Sequence, residues 1–175
     1  MYNEHELEMS IIQMFEEKGY TYIENNDEWL ANRNLDDFII EDDLLEALET
    51  INSKVKRSLF NEVVTKIKHL DALSFIDKNR LFHKYLVDGI FVEDYYSNSN
   101  PLIKIIDFQN PENNIFKIGN QVKFNEGRST RVPDILIYVN GLPLIIFELK
   151  SIENREDATI ENAYEQLGGN SDNSG

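Results

Sequence analysis

No cysteine occurs in the 175 residues of this chain. Disulfides and thiolate metal sites are therefore excluded, and the composition fits a reducing, cytoplasmic setting. Cationic residues are scarce as well: 17 Lys and Arg stand against 32 Asp and Glu, a net charge of −15. Duplex DNA is held chiefly by neutralising its phosphates, so tight sequence-independent binding by this chain alone is not expected. Long apolar runs are missing too. Leu142 to Phe147 is among the longest, far short of the roughly 20 residues a membrane-spanning helix needs, so no membrane partner is expected. The acidic start Met1-Tyr-Asn-Glu-His-Glu6 lacks the basic and apolar regions of a secretory signal. No Gly-x-x-x-x-Gly-Lys-Ser/Thr phosphate loop is present, and His5, His69 and His83 are scattered without ligand spacing. At this length a single domain burying about 70% of its unfolded surface is the simplest expectation.

What the chain does have is concentrated in Val132-Pro-Asp-Ile-Leu-Ile-Tyr-Val-Asn-Gly-Leu-Pro-Leu-Ile-Ile-Phe-Glu-Leu-Lys150. Ile135 to Val139 and Leu142 to Phe147 are apolar without polar alternation, as in strands covered on both faces inside an α/β sheet. Charges adjoining such strands need partners, because an unpaired buried charge costs roughly several kcal/mol. Asp134, Glu148 and Lys150 stand at those strand ends. Asn140-Gly141 between the runs is a hairpin signal, so the strands are expected to be antiparallel neighbours. Glu148 and Lys150, two apart, share a face. With a loop of Asn140 and Gly141 alone, Asp134 would oppose Phe147 and point away from Glu148. Convergence of the two carboxylates requires an odd loop or a bulge. A three-residue loop with Gly141 left-handed, a type I turn followed by a bulge, is predicted.

Converging in that way, Asp134 and Glu148, with the backbone carbonyl of Leu149, make a hard oxygen site of the kind Mg²⁺ prefers, completed by water and a substrate phosphate. Lys150 would orient a water or stabilise developing negative charge, and the reaction class is phosphodiester hydrolysis. An Asp followed by Glu-x-Lys also recurs by chance, and Glu-x-Lys on a strand is commonly a solvated charge pair. Lys117, Lys123, Arg128 and Arg131 lead into Pro133-Asp134 with only Glu126 opposing them. They would flank a scissile phosphate, or equally keep a sheet edge soluble. Asp36, Asp37, Glu41, Asp42 and Asp43 read as a solvated acidic face. Trp29, Tyr95 and Tyr96 read as packing residues rather than platforms for bases.

Pro133-Asp134, the hairpin and Glu148-Leu149-Lys150 resemble the PD-(D/E)xK nuclease motif. Asn110-Pro-Glu-Asn-Asn-Ile-Phe116, Asn120-Gln121, Pro133-Asp134, Val139-Asn-Gly-Leu-Pro143 and Glu148-Leu-Lys150 follow one another in the order and spacing of a particular branch. With Glu6-Leu7-Glu8 ahead of an apolar helix that ends near Gly19-Tyr20, the chain resembles the N-terminal nuclease domain of the restriction (R) subunit of type I restriction-modification enzymes. The resemblance spans nearly the whole chain and is most specific over residues 107–150. It implies an α/β (α+β) restriction-endonuclease-like core, a mixed sheet flanked by helices behind an N-terminal helical portion. It further implies a nuclease domain over residues 1–167, with 168–175 a flexible tail or truncation point.

The same resemblance implies Mg²⁺ as cofactor and double-stranded DNA as substrate. Methyltransferase and specificity subunits are the implied partners, and ATP is implied for a full-length protein but not for this fragment. Glu8 matches an acidic residue that approaches the metal site in that superfamily, or is a solvated helix carboxylate. Gln166 matches the start of a Gln-x-x-x-Tyr element, although Asn170 stands where the tyrosine would be. Two other readings stay open: a cleavage-incompetent docking module of the same fold, and a free-standing nuclease of the superfamily.

Periodicity predicts a helix over 4–18, a short strand from Tyr20 to Ile23, and helices over Asp43 to Ile51, Val55 to Leu70 and Asp77 to Tyr85, with Ser74 or Asp77 as N-cap. Strands are expected over Ile90 to Tyr96, Leu102 to Phe108 and Ile115 to Phe124, then the hairpin, then a helix over Ala158 to Leu167.

Overall fold

The computed structural model describes residues 4–24 and 27–150. The expected helix over Ala158 to Leu167, the role of Gln166 and the tail lie outside the described residues.

Five helices and eight strands are described: α1 (Glu4–Glu16), β1 (Thr21–Ile23), α2 (Glu28–Asn32), α3 (Glu41–Ile51), α4 (Phe60–Lys68), α5 (Phe75–Asp88), β2 (Ile90–Phe91), β3 (Leu102–Ile103), β4 (Phe116–Asn120), β5 (Phe124–Glu126), β6 (Ser129–Arg131), β7 (Ile135–Val139) and β8 (Leu142–Phe147). The central sheet runs β1-β4-β7-β8. β1 is parallel to β4, and the other two pairings are antiparallel. The result is a mixed sheet with helices on it, a nuclease-like α+β fold. None of the described helices is long and apolar enough to cross a membrane.

β7 explains its own composition. Ile135 and Ile137 join Ile12 of α1 and Ile118 of β4 on one side of the sheet, while Leu136 and Tyr138 join Ile23, Ile40 and Val122 beneath Trp29 and Leu30 on the other. These four of the five β7 side chains are buried, as an unalternating run requires. β8 departs from that expectation. It is an edge strand of the described sheet, and Ile145 and Ile146 are 47% and 55% exposed.

A third apolar cluster joins α3 and α4 (Leu44, Leu48, Phe60, Val63, Ile67) to the small β2–β3 hairpin (Ile90, Ile103) and to Leu142 of β8. The acidic residues Glu41, Asp42 and Asp43 occupy the first turn of α3, where the helix dipole favours them. Glu41 pairs with Lys68 and Asp43 with Lys117, so this part of the acidic run is engaged rather than merely solvated. α5 starts at Phe75 because Ser74 caps it, its hydroxyl accepting from the Asp77 backbone N–H at 3.1 Å.

Elsewhere the elements are shorter than periodicity suggests. Residues 57–59 form a 3₁₀ turn, and α4 begins only at Phe60. β2 and β3 pair over two residues each, because Asp94 gathers the intervening chain into a turn by accepting from the Tyr96 N–H (3.1 Å) and the Ser97 hydroxyl (2.5 Å). Bonds first from Lys56 and then from Ser97 hold the Asp94 carboxyl down at about 2. Tyr95 and Tyr96 at that turn are 84% and 97% exposed, so they do not pack as expected. Trp29 does pack, edge-on to Tyr138 with centroids 5.9 Å apart. The expected strand from Ile115 to Phe124 is broken where Gln121 turns left-handed (φ 52°), and the β5–β6 hairpin that follows is a further addition.

Candidate active site

The β7–β8 hairpin brings the two carboxylates into register by a route the sequence did not reveal. Val139 pairs with Leu142, so the loop is the two residues Asn140 and Gly141, with φ of 51° and 73°. Positive φ at both positions is the type I′ arrangement, and the three-residue loop is therefore wrong. The parity break lies inside β8. Tyr138 pairs with Pro143 but Ile137 pairs with Ile145, leaving Leu144 as a bulge. Ile135 then pairs with Phe147, so by strand alternation Asp134 and Glu148, one residue further on, share a face. Phe147 and Leu149 both join the Ile12 cluster, which directs Glu148, between them, to the other side.

Asp134 is half-buried, and its Oδ2 accepts the Leu149 backbone N–H at 2.5 Å. That bond ties the Pro133-Asp134 segment directly to the Glu148-Leu149-Lys150 segment. Glu148 and Lys150 are exposed to solvent. Two carboxylates and the Leu149 carbonyl are all hard oxygen donors, the class magnesium takes. Among the described residues no three His, Asp or Glu side chains are grouped to hold an ion. A magnesium ion nonetheless fits this donor set, since it commonly takes one or two carboxylates and fills the remaining positions with water and phosphate.

Glu8 is not a solvated helix carboxylate. It is 5% exposed. Its Oε2 accepts from Asn120 Nδ2 at 3.0 Å and its Oε1 from Gln121 Nε2 at 2.9 Å. Asn120 Oδ1 accepts in turn from the Tyr22 hydroxyl at 2.8 Å. Burial first, then the carboxylates of Glu24, Glu16 and Glu8, push the Tyr22 phenol up, which keeps its proton in place as a donor. The Gln121 backbone N–H reaches the Asp134 carbonyl at 3.2 Å. Asn120 and Gln121 were visible in the sequence only as a matching pair without a role; a polar pair ending an apolar strand was the available signal.

The four basic residues separate. Lys117 on β4 is engaged by Asp43, its Nζ 2.9 Å and 2.8 Å from the two carboxylate oxygens, and stands apart from the others. Lys123, Arg128 and Arg131 are exposed on the β5–β6 hairpin and its approach, immediately ahead of Pro133-Asp134. The Lys123 carbonyl is held by Arg33, whose guanidinium also lies 4.8 Å from the Trp29 ring centre.

At its other end the hairpin is anchored in the interior. Asn140 is fully buried, with Oδ1 accepting from the Ile115 N–H (2.7 Å) and Nδ2 donating to the Ile105 carbonyl (2.7 Å) and to Asn114 Oδ1 (2.9 Å).

Comparison with known proteins identifies the family. The family described as "Type I restriction enzyme R protein N terminus" matches residues 1–174. The type I restriction enzyme HindI endonuclease subunit of Haemophilus influenzae is 31% identical over 176 residues, covering 95% of this chain and 16% of that protein. A putative type I restriction enzyme MjaIXP endonuclease subunit of Methanocaldococcus jannaschii is 27% identical over 161 residues, covering 87% of this chain and 15% of its own length. The chain thus spans about a sixth of the relatives it matches. It belongs to the type I restriction enzyme R protein N-terminal family.

Proposed function

We propose that this chain is the Mg²⁺-dependent endonuclease domain of a type I restriction enzyme R subunit and hydrolyses phosphodiester bonds of double-stranded DNA. The observation that carries the reading is the Leu144 bulge, by which strand alternation gives Asp134 and Glu148 a common face, together with the bond from the Leu149 N–H to Asp134. Asp134, Glu148 and the Leu149 carbonyl would hold the ion. When bound, it supplies electrostatic stabilisation of the charge that builds on the phosphoryl oxygens. The Lys150 ammonium, two residues beyond Glu148, orients the attacking water and opposes the same developing charge. Lys123, Arg128 and Arg131 steer the flanking phosphates, and their small number fits weak intrinsic affinity. The remaining affinity comes from elsewhere in the assembly: an ATP-driven motor in the rest of the subunit, and methyltransferase and specificity subunits as partners.

The test is Lys150→Ala in the assembled enzyme with Mg²⁺ and ATP. Cleavage falls by at least about a hundredfold, the scale of losing one electrostatic stabiliser, while far-ultraviolet circular dichroism of the chain stays unchanged. Assemblies carrying the substitution that cut DNA at the normal rate would show that this domain serves as a docking module.

A further inference from the structure

Two unusual features of the chain account for one another. Glu8 is a buried carboxylate whose named partners are neutral amides, both of its oxygens being taken by the side chains of Asn120 and Gln121. Gln121 is a non-glycine residue in the left-handed region, φ 52°, a conformation that costs an L-residue about 1 kcal/mol and persists only where its surroundings determine it. In that conformation its two ends serve two elements. The backbone N–H donates to the Asp134 carbonyl at 3.2 Å, and the side-chain amide donates to Glu8 Oε1 at 2.9 Å. Asn120, pinned by Tyr22, fixes the second carboxylate oxygen.

Asp134 itself sits just outside β7. Its two named bonds are the Leu149 N–H on its side chain and the Gln121 N–H on its carbonyl. The angle at which its carboxylate is offered therefore depends on Gln121, and Gln121 depends on Glu8.

From this chain of bonds we infer that Glu8 is a positioning residue acting through Gln121 on Asp134, rather than a ligand of the ion. The inference rests on Asp134 and Glu148 being the ion's carboxylates. Glu8 then serves as an anchor. The α1 carboxylate locks the left-handed turn after β4, and the turn locks the first metal-binding aspartate.

Mn²⁺ binding to the 175-residue chain, read by titration calorimetry without DNA or nucleotide, separates the possibilities. Gln121→Gly keeps the left-handed backbone and its N–H while deleting the amide, so the fold is retained. Glu8→Gln keeps the shape and one acceptor while removing the charge. Each single variant weakens Mn²⁺ about five- to tenfold, the scale of one lost hydrogen bond, and the double variant is no weaker than either alone, because both break the same link. Asp134→Asn removes detectable binding. If Glu8→Gln instead abolishes binding as Asp134→Asn does while Gln121→Gly leaves it at the wild-type level, Glu8 is a ligand and the inference is overturned. If both single variants bind as wild type does, the inference falls and the nuclease reading stands. A wild-type chain that takes up no Mn²⁺, or an Asp134→Asn variant that still binds it, overturns both.

Discussion

Replacing Gly141 by alanine measures how firmly the hairpin turn is built into the interior, and Gly127→Ala supplies the matched control. Both glycines are left-handed, with φ of 73° and 61°, so both variants carry the same backbone cost of about 1–2 kcal/mol. Their surroundings differ completely. A Cβ at Gly127 meets nothing within 4 Å, whereas at Gly141 it would lie well inside contact distance of the Ile40 carbonyl oxygen and 3.0 Å from the Leu44 nitrogen. To relieve the clash the turn must withdraw from the start of α3, which also breaks the 2.9 Å bond from the Ile40 N–H to the Gly141 carbonyl. Overpacking costs about 1–3 kcal/mol, and a lost buried bond adds about 1 kcal/mol. Gly141→Ala therefore destabilises by about 3–6 kcal/mol, against about 1–2 kcal/mol for Gly127→Ala. Urea unfolding followed through the single tryptophan, Trp29, which lies against Tyr138 of β7, reads the difference directly. Equal midpoints for the two variants would refute the buried turn.

Tyr138 is fully buried, and its hydroxyl has no hydrogen-bond partner among the described residues; burial pushes its phenol up to about 12, against the pull of Arg33. Tyr138→Phe removes an unsatisfied group, so stability stays level or rises by up to about 1 kcal/mol; a clear loss in the same urea assay would mean that the hydroxyl is bonded. Asp107 accepts from the Asn113 side chain and from the N–H groups of Asn110 and Gln109, and those bonds, Asn113's first, hold its carboxyl down at about 2. A folded value below the unfolded one, about 3.9, gives stability that is fully present above pH 4 and is lost as pH falls through about 2. Asp107→Asn therefore melts below wild type at pH 7, and the gap narrows between pH 4 and pH 2; a gap of constant size would overturn the assignment.

The sequence carried α1, α3, α4 and α5 and the central strands because their apolar spacing is dictated by burial, while the short α2 carried no such spacing. α3, α4 and β7 each present residues to a neighbour at the period their conformation demands. It also carried the logic of the site: the observation that Asp134 and Glu148 converge only if parity is broken needed nothing beyond the two-residue repeat of a strand. It did not place the break. Asn-Gly is compatible with both a two-residue and a longer loop, and the choice was made by tertiary bonds to Asn140 from residues 105, 114 and 115, which no local pattern encodes. A local signal did exist in Pro143. Proline within a strand belongs at edges and bulges, and it immediately precedes the bulged Leu144 on an edge strand. Glu8 escaped for a related reason, since helical spacing places a residue on a face but cannot say that two amides ending a strand 112 and 113 positions away will receive it.

The hairpin divides its labour along its length. Asn140 bonds through both backbone and side chain to Ile115, the residue just before β4, and thereby sets the register in which Phe116 meets Val139. That contact fixes β7 against β4, and the bulge then fixes β8 against β7. A one-residue slip between β7 and β8 would turn every β8 side chain to the opposite face, carrying Glu148 away from the Asp134 side at the far end of the strands, roughly 17 Å away at 3.3 Å per residue. Val139-Asn-Gly-Leu-Pro143, for all its prominence in the sequence, lies at the opposite end of the hairpin from Asp134 and Glu148, and it holds the phase of the two strands that carry them.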